Sequence, residues 1–214
     1  MASSPAGSAE TRAPTPVPSL APPAPEASSQ TDAGPNIDGA TAPADGAASG
    51  SGAPPPLLDD AGQPLPQTDE RPGIESAFFQ RLGSALFEAI VRDDPEVAMP
   101  HFFPLVAYQQ VKAIERPERD WRGRLVRLFE RDIHGYHRHL GRYRDQAEYV
   151  GFEVPEERAR FMQPHTEGNK LPYWRVLRSH LIYRDHQGRR LRLEVTSLIS
   201  WRGEWYVVHL NGFE

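Results

Sequence analysis

The chain lacks cysteine entirely, and its N-terminal part, residues 1–72, also lacks aromatic side chains. The absence of cysteine excludes a disulfide-stabilised scaffold and a cysteine-ligated metal site. In residues 1–72 only Arg12 and Arg71 are basic, against nine acidic side chains, whereas residues 73–214 carry basic and acidic side chains in nearly equal number. Every Phe, Trp and Tyr follows Arg71. Because only about 140 residues can therefore build a core, a two-domain enzyme is excluded.

What residues 1–72 do contain in abundance is proline and alanine. Segments such as Ala53–Pro56 cannot bury enough apolar surface to offset the entropy of ordering the backbone. We therefore predict that residues 1–72 form a disordered Ala/Pro/Gly/Ser-rich acidic tether and that residues 73–214 form a single α+β domain. The tether is interpreted as a spacer, and a proline motif at Pro54–Pro56 for a partner domain is the alternative.

Long hydrophobic runs are missing as well. No stretch approaches the roughly 18 apolar residues of a membrane span, so we predict no membrane span. The N-terminus has neither the cationic start nor the apolar core of a secretory signal, and we expect the chain as written to be cytoplasmic. Ala/Pro-rich acidic tethers often follow an export signal or a lipid anchor. An exported or envelope-tethered protein is therefore the alternative if the true start site lies upstream.

The first half of the predicted domain has helical periodicity. Apolar residues recur every three or four positions over Ile74–Val91, which predicts an amphipathic helix that ends near Asp93. The same spacing predicts a long helix over Arg119–Leu140, with arginines on its polar side. Between these helices we expect a short helical piece at Glu96–Phe103, whereas Leu105–Ile114 is equally compatible with helix and strand.

The second half has the two-residue period of β-strands. This period predicts one strand at Glu148–Val154. It also predicts an antiparallel meander of three strands at Tyr173–Tyr183, Arg189–Trp201 and Glu204–Leu210. In the middle strand of this meander the parity of Leu193 and Val195 predicts a covered face, with polar residues on the other face. Helices followed by a curved antiparallel sheet make an α+β domain.

Three features of this domain resemble the nuclear transport factor 2-like superfamily. They are the long first helix, the step from Asp94–Glu96 to Phe102–Pro104, and the closing segment Trp201–Leu210. This superfamily includes ketosteroid isomerase and the SnoaL-like polyketide cyclases, and the resemblance covers roughly residues 74–213. It implies a cone in which the helices pack on a curved sheet, and a fold that commonly forms homodimers. It does not imply one activity, since the superfamily includes enzymes as well as binding and assembly domains.

An enzyme of this kind needs an imidazole or a carboxylate on the concave side of the sheet. The parity of the strands leaves four inward candidates, with Asp120 or Glu130 as neighbours: His180, His209, Tyr108 and Tyr183. The walls of the ligand pocket are predicted to include four apolar residues: Trp121, Phe129, Trp205 and Val207.

Two other candidate sites have simpler explanations. His134, His137 and His139 have the spacing of metal ligands, but a metal site needs further ligands and a polar helix end explains these residues better, so we predict no metal. The arginines of the long helix alternate with acidic residues. Such interleaving is typical of a solvated helix face, and we predict no nucleic-acid partner.

These observations favour a non-catalytic binding or assembly domain that holds a small apolar ligand or a protein partner. The alternative is a small isomerase, dehydratase or cyclase that uses a pocket histidine with a tyrosine. Neither hypothesis requires a cofactor. Because Leu198 interrupts the polar face of the middle strand, we also predict a homodimer through that face of the sheet.

Overall fold

The computed structural model describes residues 52–210, which form an α+β domain. Helices come first, and a curled antiparallel sheet in the shape of a half-barrel follows them. This confirms the predicted fold class at the level of layers and element order. Predictions that concern residues 1–51 and 211–214 lie outside the described residues.

The first helix, α1 (Ala77–Arg92), forms where the periodicity predicted it. The Ser76 hydroxyl caps the helix by accepting a hydrogen bond from the Phe79 amide at 3.0 Å. The helix ends at Asp93, which has a left-handed backbone with φ 58°. Asp94 then caps a 3₁₀ helix over Pro95–His101. This confirms the short helical piece that was predicted at Glu96–Phe103.

The ambiguous segment is helical, as α2 (Leu105–Val111). The predicted long helix consists of α3 (Pro117–Asp120), a π-helical turn (Trp121–Val126) and α4 (Arg127–Leu140), and it ends at Leu140 as predicted. Its apolar stripe faces the core, since Leu125, Phe129 and Ile133 are buried. The π-helical turn contains Gly123, whose missing side chain faces open space.

Five strands occur within residues 52–210, and four of them were predicted. They are β1 (Glu148–Glu153), β2 (Arg160–Met162), β3 (Tyr173–Arg184), β4 (Arg190–Trp201) and β5 (Glu204–His209). The sheet order is β1-β3-β4-β5, and β2 pairs with the first residues of β3. Strand β2 was not predicted, because a strand of three residues cannot show a two-residue period.

Two backbone irregularities interrupt the ladders that β4 forms with β3 and with β5. Arg178 in β3 has φ 61° and leaves the position opposite Thr196 unpaired. In β5 the register shifts by one residue, because Ser197 pairs with His209 whereas Leu198 pairs with Val207. Val208 is therefore the extra residue of a β-bulge.

The C-terminal half of β4 is covered on both faces. Leu193 and Val195 are buried as predicted, but every residue from Ser197 to Trp201 is buried as well, and Leu198 has no exposed surface. Leu198 packs inside its own chain, where Val176 and Val207 are its register partners. It therefore does not support the predicted homodimer, and the homodimer stays a prediction.

The outer edge of β5 is occupied by the chain that follows the 3₁₀ helix. Phe102 forms a parallel bridge with Val207, and the Phe103 amide donates to the Val207 carbonyl at 2.9 Å. The Phe102 ring also lies 4.6 Å from the ring of Phe129 in α4. This edge contact joins the helical layer to the last strand.

A segment that precedes α1 also contacts the sheet. We call residues 65–71 the strap. The Gln67 amide donates to the carbonyls of Ser200 and Pro172 and accepts from the Arg202 amide, and the Asp69 carbonyl accepts from the Trp174 indole. The tether prediction did not anticipate these contacts, since they are made by backbone groups and single polar side chains rather than by an apolar pattern.

Candidate functional site

A cavity of about 360 Å³ lies where the helical layer meets β3, β4 and β5. Its apolar wall comes from one residue after the 3₁₀ helix, one in the π-helical turn and one in each of the three strands: Phe103, Leu125, Leu177, Ile199 and Val208. Polar side chains converge on the same space, as is typical of small-molecule sites. They are Tyr108, Lys112, Arg124, Glu167, Tyr173, Arg175, Thr196, Ser197 and His209.

Tyr108, Asp120 and Arg124 form a hydrogen-bonded group on the helical side of the cavity. The Tyr108 hydroxyl donates to Asp120 Oδ2 at 2.5 Å, and the Arg124 guanidinium holds both oxygens of Asp120 at 2.9 and 2.6 Å. The hydrogen bond from Arg124 lowers the pKa of Asp120. Burial, reinforced by the bond to Asp120, raises the pKa of Tyr108. At neutral pH this group is therefore a neutral phenol beside a closed ion pair.

A second group of the same composition lies on the sheet side. The Tyr173 hydroxyl donates to Glu167 Oε2 at 2.7 Å, and the Arg175 guanidinium donates to Glu167 Oε1. Burial raises the pKa of Tyr173. As in the first group, the tyrosine hydroxyl donates its proton to the carboxylate of the ion pair. Neither Tyr108 nor Tyr173 therefore has a hydroxyl proton free for a ligand.

Asn169 holds the loop that carries Glu167 in place. This asparagine is fully buried, accepts a hydrogen bond from the Glu167 amide at 3.0 Å, and donates to the carbonyls of Gln163 and Leu171. The loop also pairs with the end of α2, since Lys112 and Asn169 form a bridge. Asn169 thereby fixes the distance between Glu167 and the helical side of the cavity.

His209 reaches the cavity through the β-bulge. Val208 and His209 are consecutive, and in a regular strand they would face opposite sides; at the bulge both line the cavity. Burial lowers the pKa of His209 to about 4, with further contributions from the charges of Arg124 and Lys112. The imidazole is consequently uncharged at neutral pH.

Two of the four predicted catalytic candidates lie together in this cavity. Tyr108 and His209 both line it, and Asp120 is a neighbour of Tyr108 as expected. His180 is instead paired with Glu153 and Glu194 across the sheet, outside the cavity. Tyr183 also lies elsewhere, since its ring packs 5.9 Å from that of Phe87 in α1.

None of the four predicted pocket residues lines the cavity. Trp121 donates its indole N–H to the Phe103 carbonyl at 2.8 Å, and Phe129 is buried among the helices. Trp205 and Val207 are buried in the core and precede the β-bulge. The prediction assumed that the alternation of β5 continues through His209, whereas the extra residue Val208 places His209 on a different side from Trp205 and Val207.

The histidines near the end of α4 contact α1. His134 Nδ1 lies 2.6 Å from the Asp93 carboxylate, and His137 Nδ1 lies 2.9 Å from the Ile90 carbonyl. Neither contact joins His134 or His137 to His139. Within residues 52–210 no group of three or more His, Asp or Glu side chains is placed to hold a metal ion.

Sequence reasoning missed most of the charged residues of the site, which are Lys112, Arg124, Glu167 and Arg175. Arg124 was assigned to the solvated face of the long helix, but it lies in the π-helical turn and contacts Tyr108. The only available signal was the i,i+4 spacing of Asp120 and Arg124. Glu167 and Arg175 have no recognisable pattern.

The chain matches no protein-family model, and no curated protein and no solved structure is significantly similar to it. In the part of the chain that the structure describes, no helix has the length and apolar character needed to cross a membrane. The site is therefore interpreted from its own residues.

Proposed function

We propose that this domain is a non-catalytic binding module of nuclear transport factor 2-like type, whose cavity holds a small organic ligand. The observation that carries the proposal is the cavity itself, in which an apolar wall faces a set of polar groups that converge from several different elements and loops. Such a composition allows one part of a ligand to be desolvated while another is oriented. A protein partner, the other half of the prediction, stays a prediction.

The protonation states of the site favour binding over catalysis. A general base works best when its pKa is close to the working pH, whereas the pKa of His209 is lowered to about 4. The hydroxyl protons of Tyr108 and Tyr173 are already donated to carboxylates. The histidine and the tyrosines of the alternative enzyme hypothesis line the same cavity. With these protonation states, however, His209 is a weak base, and the tyrosine hydroxyls already donate their protons to carboxylates.

A neutral fluorescent probe tests the binding function. N-phenyl-1-naphthylamine fluoresces strongly when it leaves water for an apolar site, and we expect it to bind the full-length protein with 1:1 stoichiometry. Leu177→Trp places a large ring at the mouth of the cavity and should weaken binding at least about tenfold, because the probe loses its contact with the apolar wall.

Leu191→Trp is the matched control. Leu191 is a leucine of the same sheet with a similar exposed fraction, 37% against 41% for Leu177, and it does not line the cavity. Its probe affinity should equal that of the wild type. Absence of binding to the wild type, or equal loss in both variants, would contradict the proposed function.

The enzyme alternative rests on one observation, which is that an uncharged histidine and two tyrosines line the same cavity. Isomerisation of 3-cyclohexenone to the conjugated ketone, followed by ultraviolet absorbance, provides the test. In this reaction His209 would take a proton from the carbon between the carbonyl and the double bond and return it at the γ-carbon. Turnover that disappears in His209→Ala while probe binding persists would favour the enzyme.

A further inference from the structure

The cavity carries an excess of positive charge. Lys112, Arg124 and Arg175 line it, and among the described lining residues Glu167 supplies the one carboxylate. Asp120 neutralises Arg124, and Glu167 neutralises Arg175. Because His209 is uncharged at neutral pH, one lining cation is left without a carboxylate partner among the described residues.

That cation is Lys112. Its ammonium group donates to the backbone carbonyl of Glu167 at 3.2 Å and lies 5.6 Å from the centre of the Tyr173 ring. Within residues 52–210 it forms no ion pair with a carboxylate. Half-burial lowers the pKa of Lys112 because the charged form is poorly solvated there, and an anion beside it would reverse that shift.

Ser197 provides a second, independent indication of a polar ligand group. Ser197 lines the cavity and is only 5% exposed, and its hydroxyl is buried with no hydrogen-bond partner among the described residues. A buried hydroxyl without a partner carries a free-energy cost that a ligand oxygen at this position would remove. Ser197 lies opposite His209 in the β4–β5 ladder and so on the sheet side of the cavity.

We infer that the ligand of this cavity is a small organic monoanion. Lys112 pairs with its anionic group, and Ser197 donates a hydrogen bond to one of its oxygens. The rest of the ligand packs on the apolar wall formed by Leu177, Ile199 and Val208. A single unmatched cation fits one negative charge, whereas a phosphate dianion would need a second. This inference rests on the proposed binding function and adds the chemical class of the ligand.

A matched pair of probes separates charge from shape. 8-Anilino-1-naphthalenesulfonate is N-phenyl-1-naphthylamine with an added sulfonate, so a comparison of the two dissociation constants isolates the negative charge. We expect the wild type to bind the anionic probe more tightly than the neutral one. Lys112→Met keeps most of the side-chain length but removes the charge, and it should weaken binding of the anionic probe about tenfold while leaving the neutral probe unchanged.

Lys170→Met is the control, because the chain has only two lysines and Lys170 also donates to a backbone carbonyl, that of Gln109, at 3.1 Å. Lys170 is exposed and does not line the cavity, so this variant should bind both probes as the wild type does. Ser197→Ala should weaken the anionic probe more than the neutral one. Thermal unfolding of each variant establishes that it folds.

The possible results distinguish the two proposals. If the neutral probe fails to bind the wild type, the proposed function is wrong. A second result would overturn only the monoanion and leave the binding function standing. In that case the neutral probe binds, the anionic probe binds the wild type no more tightly than the neutral one, and Lys112→Met does not weaken the anionic probe more than the neutral one. Equal loss of both probes in a folded Lys112→Met variant also overturns the monoanion, since it shows a contribution to shape rather than to charge.

Discussion

Two histidines of the domain, the buried His101 and the half-buried His209, are uncharged at neutral pH. His101 is 6% exposed and packs against the Phe78 ring at 4.5 Å, and His209 lines the cavity. Burial is the main cause that lowers each pKa to about 4, from an ordinary value of 6.5. In the unfolded chain both side chains would take up a proton near pH 6.5, so the unfolded state binds more protons between pH 6.5 and pH 4.

We therefore predict that the domain loses stability as the pH falls from about 6.5 to about 4. Each histidine contributes at most about 1.4 kcal/mol per pH unit in this window, because its folded pKa lies below its unfolded value. The Asp93 contribution lies outside the window, since its folded pKa is lowered from 3.8 and its effect is lost only at more acidic pH. Urea unfolding at pH 7, 6 and 5 measures the loss.

His101→Phe should reduce this acid sensitivity by removing one of the two titrating groups. His101 Nδ1 is buried without a partner among the described residues, so a phenyl ring of similar shape should be tolerated. His186→Phe, on the exposed turn between β3 and β4, is the control and should leave the slope unchanged. A slope in His101→Phe equal to that of the wild type would contradict the assignment.

At the residue scale the sequence predicted, from the parity of the strands, that Tyr108 and His209 are inward candidates. It did not predict what they contact. Tyr108 and Asp120 are 12 positions apart, and they meet only because the chain reverses between α2 and α3. Contacts of this kind depend on the path of a loop, which has no periodicity to interpret.

At the scale of elements, the hairpin between β4 and β5 depends on two left-handed residues. Arg202 has φ 50° and Gly203 has φ 76°, a combination found in two-residue turns that match the twist of the strands. A side chain on Gly203 would be strained by its backbone conformation, and its Cβ would lie 2.7 Å from Glu70 Oε2. This turn sets the register of the strand that carries His209.

Gly203→Ala should therefore destabilise the domain by about 1 kcal/mol or more. Gly135→Ala is the matched substitution, because Gly135 lies inside α4 with only the end of the Arg138 side chain within 4.0 Å of a new Cβ. It should stabilise the domain by about 0.5–1 kcal/mol. Denaturant unfolding followed by tryptophan fluorescence compares them, and a shift of the same sign in both variants would contradict this account of the turn.

Elements with a sustained period were predictable, and local irregularities were not. Strands β3, β4 and β5 lie within one or two residues of their predicted ends, and helix α1 within three, because a long periodic segment has one face that must be buried. The bulge at Val208 adds a single residue without any sequence signal. That residue is nevertheless what directs His209 into the cavity and leaves Trp205 and Val207 in the core.

At the scale of the whole molecule, the strap is part of the folded domain. Gln67 makes three hydrogen bonds to groups near the start of β3 and the turn after β4, and the Arg71 guanidinium stacks over the Trp174 ring at 5.3 Å. Arg71 also donates to the Glu156 carbonyl at 2.7 Å. The strap thus joins the segment that precedes α1 to the start of β3 and the end of β4.

Gln67→Ala should lower the free energy of unfolding of the full-length chain by about 1–3 kcal/mol, because it leaves partly buried backbone groups without partners. Gln63→Ala removes the same kind of side chain from an exposed position and should have little effect. Denaturant unfolding measures both. If the two variants are equally stable, the strap does not contribute to folding.

The Phe102–Phe103 segment also determines how two copies of this protein can associate. Because its backbone already fills the lateral hydrogen-bonding positions of β5 at Val207, a second molecule cannot extend the sheet there by adding a strand. Exposed strand edges are common starting points for aggregation. Any cross-chain β-pairing at this position would first require the helical layer to detach, which makes that route to fibrils or swapped dimers available only after partial unfolding.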